Sequence, residues 1–146
     1  NPPLASRDDR DALLEGLADG TVDAIATDHA PNHPASKDVE FDRAPFGVTG
    51  FETAIALALE QLVHTNRISL MRMVELFTAG PARVLGKESH LREGAPADVT
   101  IFSFDRAWTY RAAESPSRSR NTPFDNRNFR GGPVATIVAG KIVYQA

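Results

Sequence analysis

The sequence predicts an α/β protein whose two parts use different secondary structure. In the first part, apolar residues recur at helical spacing on both sides of a short apolar run that is typical of a buried strand. From Gly94 onwards, the apolar residues instead follow the period of β-strands. We therefore expect a unit of an α/β barrel or sheet in residues 1–85 and a separate β layer in residues 86–146.

The first part opens with a predicted helix and a predicted strand. Ser6 offers an N-cap hydroxyl, three leucines then recur at helical spacing, and Gly20 ends the pattern, which predicts a helix over residues 8–19. Residues 22–27 contain no breaker and predict a strand buried on both faces. Because one strand cannot form a parallel sheet, we expect further polypeptide or a second copy of the chain to complete it.

A long loop and two helices are predicted next. Residues 30–50 carry three prolines and no periodicity, which indicates a loop that directly follows the end of a strand. The apolar stripe of residues 51–62 predicts an amphipathic helix, and a second helix is predicted from Ser69 towards Gly80.

The second part is predicted to consist of strands and one long polar loop. Residues 98–104 and 108–110 have strand character, and residues 134–139 and 141–144 predict two strands about a turn at Gly140. Between these groups, residues 112–132 are rich in serine, arginine, asparagine, proline and glycine. This composition predicts a loop with little core of its own.

Composition and charge exclude several classes of protein. The 19 acidic and 16 basic residues give a net charge of −3 without a basic stripe, so we expect no nucleic-acid partner. The absence of cysteine excludes disulfides and thiolate ligands and fits a cytoplasmic protein. The longest apolar run, residues 51–63, is shorter than the about 20 residues of a membrane span, so we expect no membrane association.

Asp28 is the strongest candidate for chemistry in the sequence. It ends the predicted strand, and carboxylates at the carboxyl ends of barrel strands are where α/β barrels keep their catalytic groups. Such a carboxylate can ligate a divalent metal and can accept a proton from water activated by that ion. An alternative stays open on sequence alone: Asp28 caps a turn and His29 bonds the backbone.

The histidines do not form a complete metal site by themselves. Zinc commonly takes three or four protein ligands, but the histidines at positions 29, 33, 64 and 90 show neither a helical pair nor an HxH motif. We therefore do not expect a complete metal centre within these 146 residues. The opening Asn1-Pro2-Pro3-Leu4, which lacks an initiator methionine, suggests a piece of a longer protein.

Several motifs follow one another along the chain. They are Asn1-Pro2-Pro3-Leu4, Asp23-Ala24-Ile25-Ala26-Thr27-Asp28-His29-Ala30-Pro31, Ala44-Pro45-Phe46-Gly47, Gly50-Phe51-Glu52-Thr53-Ala54, Gly94-Ala95-Pro96-Ala97-Asp98 and Asn121-Thr122-Pro123-Phe124. Taken in this order, they resemble the C-terminal third of a bacterial type I dihydroorotase of the amidohydrolase superfamily. Hydantoinases and allantoinases share the Asp-His-Ala-Pro segment and the β tail, whereas the first and last motifs favour dihydroorotase.

The resemblance implies the C-terminal portion of a (β/α)8 barrel with an accessory β-sandwich segment. It also implies a zinc-dependent enzyme, with one or two ions, that reversibly opens dihydroorotate to N-carbamoyl-L-aspartate in pyrimidine biosynthesis. In such enzymes, the residue matching Asp28 follows the eighth strand, ligates zinc and carries a proton from the attacking hydroxide to the leaving nitrogen. The other metal ligands come from earlier strands outside this chain, so the 146 residues alone should neither bind zinc tightly nor turn over substrate.

The resemblance also implies which residues contact the substrate. Asn1 matches an asparagine that hydrogen-bonds the substrate, and Phe46 and Gly47 match a loop pair that closes over the ring. The family usually has histidine where this chain has Asn32, so either Asn32 or the neighbouring His33 would hold the substrate carboxylate. Alanine at position 5, where the family commonly has arginine, is a second departure.

Partners and alternative functions follow from the same resemblance. The N-terminal remainder of the barrel is the expected partner, and the family pattern is compatible with a homodimer or a complex with aspartate transcarbamoylase. One alternative is a cyclic amidohydrolase of the hydantoinase or allantoinase type. Another is a non-catalytic dihydroorotase-like subunit that partners a transcarbamoylase.

Overall fold

The computed structural model of the chain describes residues 6–146. Helix α1 covers Arg7–Asp19, α2 Pro34–Lys37, α3 Ala54–Ala58, α4 Leu70–Phe77 and α5 Ala79–Val84. A π-helical segment, Leu59–Val63, directly continues α3, and a 3-10 helix covers Ala112–Glu114. The strands are β1, Val99–Thr109; β2, Asn128–Val138; and β3, Lys141–Gln145. The predicted α/β class is confirmed.

Helix α1 begins one residue before the predicted start and ends at the predicted residue. The Ser6 hydroxyl accepts a hydrogen bond from the Asp9 backbone N–H at 3.1 Å, and the Asp9 carboxylate accepts one from the Ser6 backbone N–H at 2.9 Å. This reciprocal capping box satisfies two backbone donors at the start of the helix. Gly20 ends it with φ of 95°, a left-handed conformation that favours glycine.

The predicted strand over residues 22–27 is not formed within the described part of the chain. These residues lack a strand ladder, although the Ile25 N–H donates to the Leu76 carbonyl at 2.9 Å. A strand needs a neighbour for its backbone hydrogen bonds, and residues 6–146 provide only an isolated parallel bridge between His29 and Val48. The segment is therefore held by helix contacts rather than by a sheet.

The helix predicted from Ser69 towards Gly80 is interrupted. The chain leaves the helix at Thr78, where φ is −129° and ψ is −85°, and re-enters it as α5. Gly80 lies at this restart against the backbone of Asp23, where a Cβ atom would fall 1.9 Å from the Asp23 carbonyl oxygen. Glycine is thus required sterically for α5 to pack against the segment that leads to Asp28.

The strands form one antiparallel sheet in the order β1-β2-β3. The two strands predicted over 98–104 and 108–110 are a single β1, with a shift in register between Ser103 and Ala107 that marks a bulge. The turn at Gly140 is confirmed. Within residues 6–146 there is no second sheet, so the expected β-sandwich is not confirmed.

The core consists of two clusters on either side of α3 and the π-helical segment. On one side Leu59, Met73 and Leu76 are fully buried, and on the other Ala56 packs with Tyr110, Ala112 and Phe129 from the β part. An ion pair of 3.0 Å between Arg127 and Glu60 crosses the same interface. The parts before and after residue 86 therefore pack against each other, and the division into two domains stays a prediction.

No helix in residues 6–146 combines the length and the apolar character needed to cross a bilayer.

Candidate active site

Asp28 lies beside an open cavity of about 780 Å³. The side chain is exposed, and the cavity wall also includes Lys37, Phe46 and Gly47. The remaining wall is mostly apolar and comes from the loop over residues 41–50, from α3 and from the π-helical segment that follows it. The structure thus places the predicted catalytic carboxylate and the predicted loop pair around the same space.

His29 is held by contacts with the following loop. Its ring stacks on Phe51, with 4.0 Å between ring centroids and an angle of 4° between the planes. Its Nδ1 accepts a hydrogen bond from the Gly50 N–H at 3.1 Å, so this nitrogen is unprotonated and is not available as a metal ligand. His29 therefore bonds the backbone, as expected if its role is structural. This bond aligns the segment after Asp28 with residues 48–50.

Asn32 and His33 have different surroundings. The Asn32 side chain is half-buried and donates to the Ala30 carbonyl at 3.1 Å and to the Phe46 carbonyl at 3.5 Å. His33 is exposed, and its Nδ1 caps α2 by accepting from the Ala35 N–H at 3.2 Å. Of the two residues that could replace the family's histidine, Asn32 is the one that contacts the Phe46 loop.

The loop that carries Phe46 and Gly47 is anchored by a lysine that the sequence reasoning did not select. The Lys37 ammonium donates to the Pro45 carbonyl at 2.5 Å and to the Gly47 carbonyl at 2.8 Å. Gly47 has φ of 96°, which requires glycine, and the Phe46 side chain is 70% exposed at the cavity mouth. No local pattern reveals the role of Lys37, because its partners are backbone carbonyls eight and ten residues away.

Asn121, from the loop that precedes β2, also enters the site. Its side-chain N–H groups donate to the Ala30 carbonyl at 2.8 Å and to the Gly47 carbonyl at 3.2 Å. Its side-chain oxygen accepts from the Asn32 N–H at 3.0 Å. In the sequence, Asn121 is recognisable only as part of the Asn-Thr-Pro-Phe motif, which predicts no contact for its side chain.

The remaining predicted residue, Asn1, lies outside the described residues, as does Ala5. Residues 6–146 contain no group of three His, Asp or Glu side chains that could hold a metal ion. The Asp28 carboxylate is an oxygen donor of the type that zinc accepts, but it supplies one ligand of the three or four that are needed. The described residues thus fit a part of a metal site and not the whole.

Comparisons with known proteins show the relationship of the chain. It is 57% identical over 141 residues to a dihydroorotase of Solibacter usitatus, covering 95% of this chain and 33% of that protein. A dihydroorotase of Anaeromyxobacter dehalogenans is 49% identical over 146 residues, covering 99% of this chain and 34% of that protein. These matches confirm the resemblance to dihydroorotases, and the chain spans about a third of the length of these relatives.

Solved structures give the same picture at the level of the fold. An L-hydantoinase from Arthrobacter aurescens superposes with a TM-score of 0.86 at 30% identity, and 99% of this chain matches 33% of that one. A D-hydantoinase from a Thermus species, 22% identical with a TM-score of 0.85, shares the fold over the same fractions of the two chains. Residues 2–143 match the family described as the amidohydrolase family. The chain belongs to the amidohydrolase family.

Proposed function

We propose that this chain is the C-terminal third of a type I dihydroorotase. The full-length protein would hydrolyse the cyclic amide of dihydroorotate to N-carbamoyl-L-aspartate, reversibly, as a step of pyrimidine biosynthesis. The observation that carries this proposal is the 57% identity to a dihydroorotase over nearly the whole chain. The position of Asp28 beside a cavity that Phe46 and Gly47 also line supports it.

The exposed surface supports a chain that folds against further polypeptide. The accessible area is 10058 Å², whereas a compact protein of 15.8 kDa exposes about 7,300 Å². Large apolar side chains contribute to the excess, among them Phe41, Phe46, Leu85 and Leu91, which are at least two-thirds exposed. We propose that residues 1–85 complete a (β/α)8 barrel with this additional polypeptide and that residues 86–146 contribute to an accessory β-sandwich.

The proposed reaction needs one group that first accepts and then donates a proton. Water adds to the ring carbonyl carbon, the bond from that carbon to the ring nitrogen breaks, and the nitrogen leaves only when it is protonated. Asp28 would accept the proton from the attacking water and deliver it to the nitrogen, so its charge is restored after each turnover. Bound zinc, with Asp28 as one ligand, would polarise the carbonyl and lower the pKa of water.

Substrate contacts are proposed for the loops around the cavity. Phe46 and Gly47 would cover the ring, and Asn1 would hydrogen-bond it. We propose Asn32 rather than His33 for the substrate carboxylate, because the Asn32 amide lies at the Phe46 loop whereas His33 is engaged as a helix cap. Three further features stay predictions. They are the number of zinc ions, assembly as a homodimer or with a transcarbamoylase, and a cytoplasmic location.

The second candidate is a cyclic amidohydrolase with hydantoinase activity. It is favoured by the fold similarity to the L-hydantoinase from Arthrobacter aurescens, but the 30% identity there is well below the 57% to a dihydroorotase. A site built around the substrate carboxylate discriminates strongly against rings that lack this group, because its polar groups are then left unpaired.

Turnover by the full-length protein that contains this chain separates the candidates. We expect kcat/KM for dihydroorotate to exceed that for hydantoin and allantoin by at least about 100-fold. The isolated 146 residues serve as the control and should not exceed a metal-only blank. Preference for hydantoin would favour the second candidate, and absence of turnover with all three substrates would favour a non-catalytic subunit.

A further inference from the structure

The Asn121 side chain bridges two segments of the candidate active site that are far apart in sequence. One segment follows Asp28 and contributes the Ala30 carbonyl and the Asn32 N–H, at 2.8 and 3.0 Å from the Asn121 amide. The other carries Phe46 and contributes the Gly47 carbonyl, at 3.2 Å. The amide thus fixes the spacing of the two segments through backbone groups on both.

The contacts require the chemistry of asparagine. Two carbonyls need two N–H donors and one backbone N–H needs an acceptor, and a single carboxamide supplies both kinds of group. Aspartate has the same shape but cannot donate to the carbonyls, and alanine has no polar group. These bonds are partly buried, which strengthens them and makes their loss costly.

Asn121 reaches the site from the opposite part of the chain. Its own backbone carbonyl accepts from the Thr49 N–H at 3.0 Å, so both its main chain and its side chain contact the loop after Phe46. Two further contacts anchor these segments, the Lys37 ammonium and the hydrogen bond from the Ala30 N–H to the Val48 carbonyl. Both involve only residues before position 86. Asn121 is therefore a direct link between the β part and the site.

We propose that Asn121 is a positioning residue that holds the Asp28 segment and the Phe46 loop at the separation needed for turnover. This inference rests on the proposed function and adds to it a role for the loop between β1 and β2. Asn121 does not need to touch substrate, because it acts through backbone groups two residues from Asp28 and next to Phe46. A displacement of about 1 Å in such a site can lower the rate about 100-fold.

The test compares three variants of the full-length protein. Asn121→Ala removes the amide, Asn121→Asp keeps its shape without the donors, and Asn128→Ala is the matched control. Asn128 is exposed on β2, and its side chain accepts a hydrogen bond from the Thr109 hydroxyl at 2.7 Å, away from the cavity. For each protein, kcat and KM for dihydroorotate, the thermal midpoint and hydrogen exchange over residues 28–50 are measured.

We expect both Asn121 variants to lower kcat about 100-fold while they stay folded at the assay temperature, with thermal midpoints only a few degrees below that of Asn128→Ala. In Asn121→Ala, the backbone N–H hydrogen of Asn32 should also exchange with solvent about five-fold faster, because it loses its hydrogen bond to the Asn121 side chain. If Asn121→Ala does not fold, the isosteric Asn121→Asp decides the outcome.

The inference is overturned if wild type is active and the Asn121 variants match Asn128→Ala in kcat, whether or not the exchange changes. If wild type itself does not turn over dihydroorotate, the proposed function fails, and the exchange data then decide alone whether Asn121 holds the two segments. Unchanged exchange at Asn32 would in that case overturn the inference as well.

Discussion

Replacing Asp28 by alanine in the full-length protein should abolish dihydroorotate turnover. The change removes a proposed metal ligand and the proposed proton carrier together, and loss of general acid–base catalysis alone lowers a rate by about 10²- to 10⁴-fold. The asparagine variant keeps the shape of the side chain but cannot carry the proton. We therefore expect kcat to fall by at least about 10²-fold for Asp28→Asn and further for Asp28→Ala.

The control for this prediction is another exposed acid of the same loop. Asp42 lies between α2 and Phe46 and does not line the cavity, so Asp42→Asn should leave kcat within about two-fold of wild type. Zinc content, measured on the same preparations, should fall in Asp28→Ala and stay unchanged in Asp42→Asn. Near-normal turnover by Asp28→Ala would show that the assigned role of this carboxylate is wrong.

Replacing Gly80 by alanine should give the largest loss of stability. A Cβ atom there would lie 1.9 Å from the Asp23 carbonyl oxygen and 3.1 Å from the Glu75 carbonyl oxygen. Both neighbours are backbone atoms, so α5 must move away from the segment that leads to Asp28. Overpacking of this kind costs about 1–3 kcal/mol or more, which we expect as a lower midpoint in urea unfolding of the full-length protein.

Gly50→Ala is the matched control for the Gly80 prediction. Its Cβ would lie 3.6 Å from the Thr27 Cβ, an ordinary van der Waals contact, so the free energy of unfolding should change by about 0.5 kcal/mol or less. The clash at Gly80 would be refuted if Gly80→Ala and Gly50→Ala unfolded at the same urea concentration.

Features determined by neighbouring residues could be predicted from the sequence. The helix after Ser6 and its end at Gly20 depend on a capping box and a left-handed glycine, both of which are encoded within a few positions. The turn between β2 and β3 is local in the same way, with Ala139 and Gly140 both at positive φ. These predictions are confirmed because their signals lie within a few positions, and the hydrogen bonds from Ala139 to Asp98 and from Gly140 to Ala97 hold the turn in the same place.

Features that depend on distant partners were predicted poorly. Residues 22–27 have the composition of a buried strand, but a strand forms only beside another, and residues 6–146 provide none along its length. The break at Thr78 is likewise absent from the helical pattern, because α5 is positioned by contact with Asp23.

The candidate site shows the same division. Asp28, Phe46 and Gly47 were selected from motifs, and the structure places all three around one cavity. The side chain of Asn121 makes contacts 89 and 91 residues away, and no periodicity or spacing connects it with Asn32 or Ala30. Sequence patterns therefore select residues that the structure places around one cavity, but they do not reveal the residues that hold the loops of this cavity together.

The location of bound zinc relative to Asp28 decides whether this carboxylate is a metal ligand of the full-length protein. Diffraction data from crystals of the zinc-loaded full-length protein, collected at the zinc absorption edge, would locate the ion. We expect an Asp28 carboxylate oxygen at about 2.0–2.2 Å from zinc, the distance of a direct ligand. A zinc ion bound entirely by other residues, with the Asp28 carboxylate outside ligand distance, would contradict it.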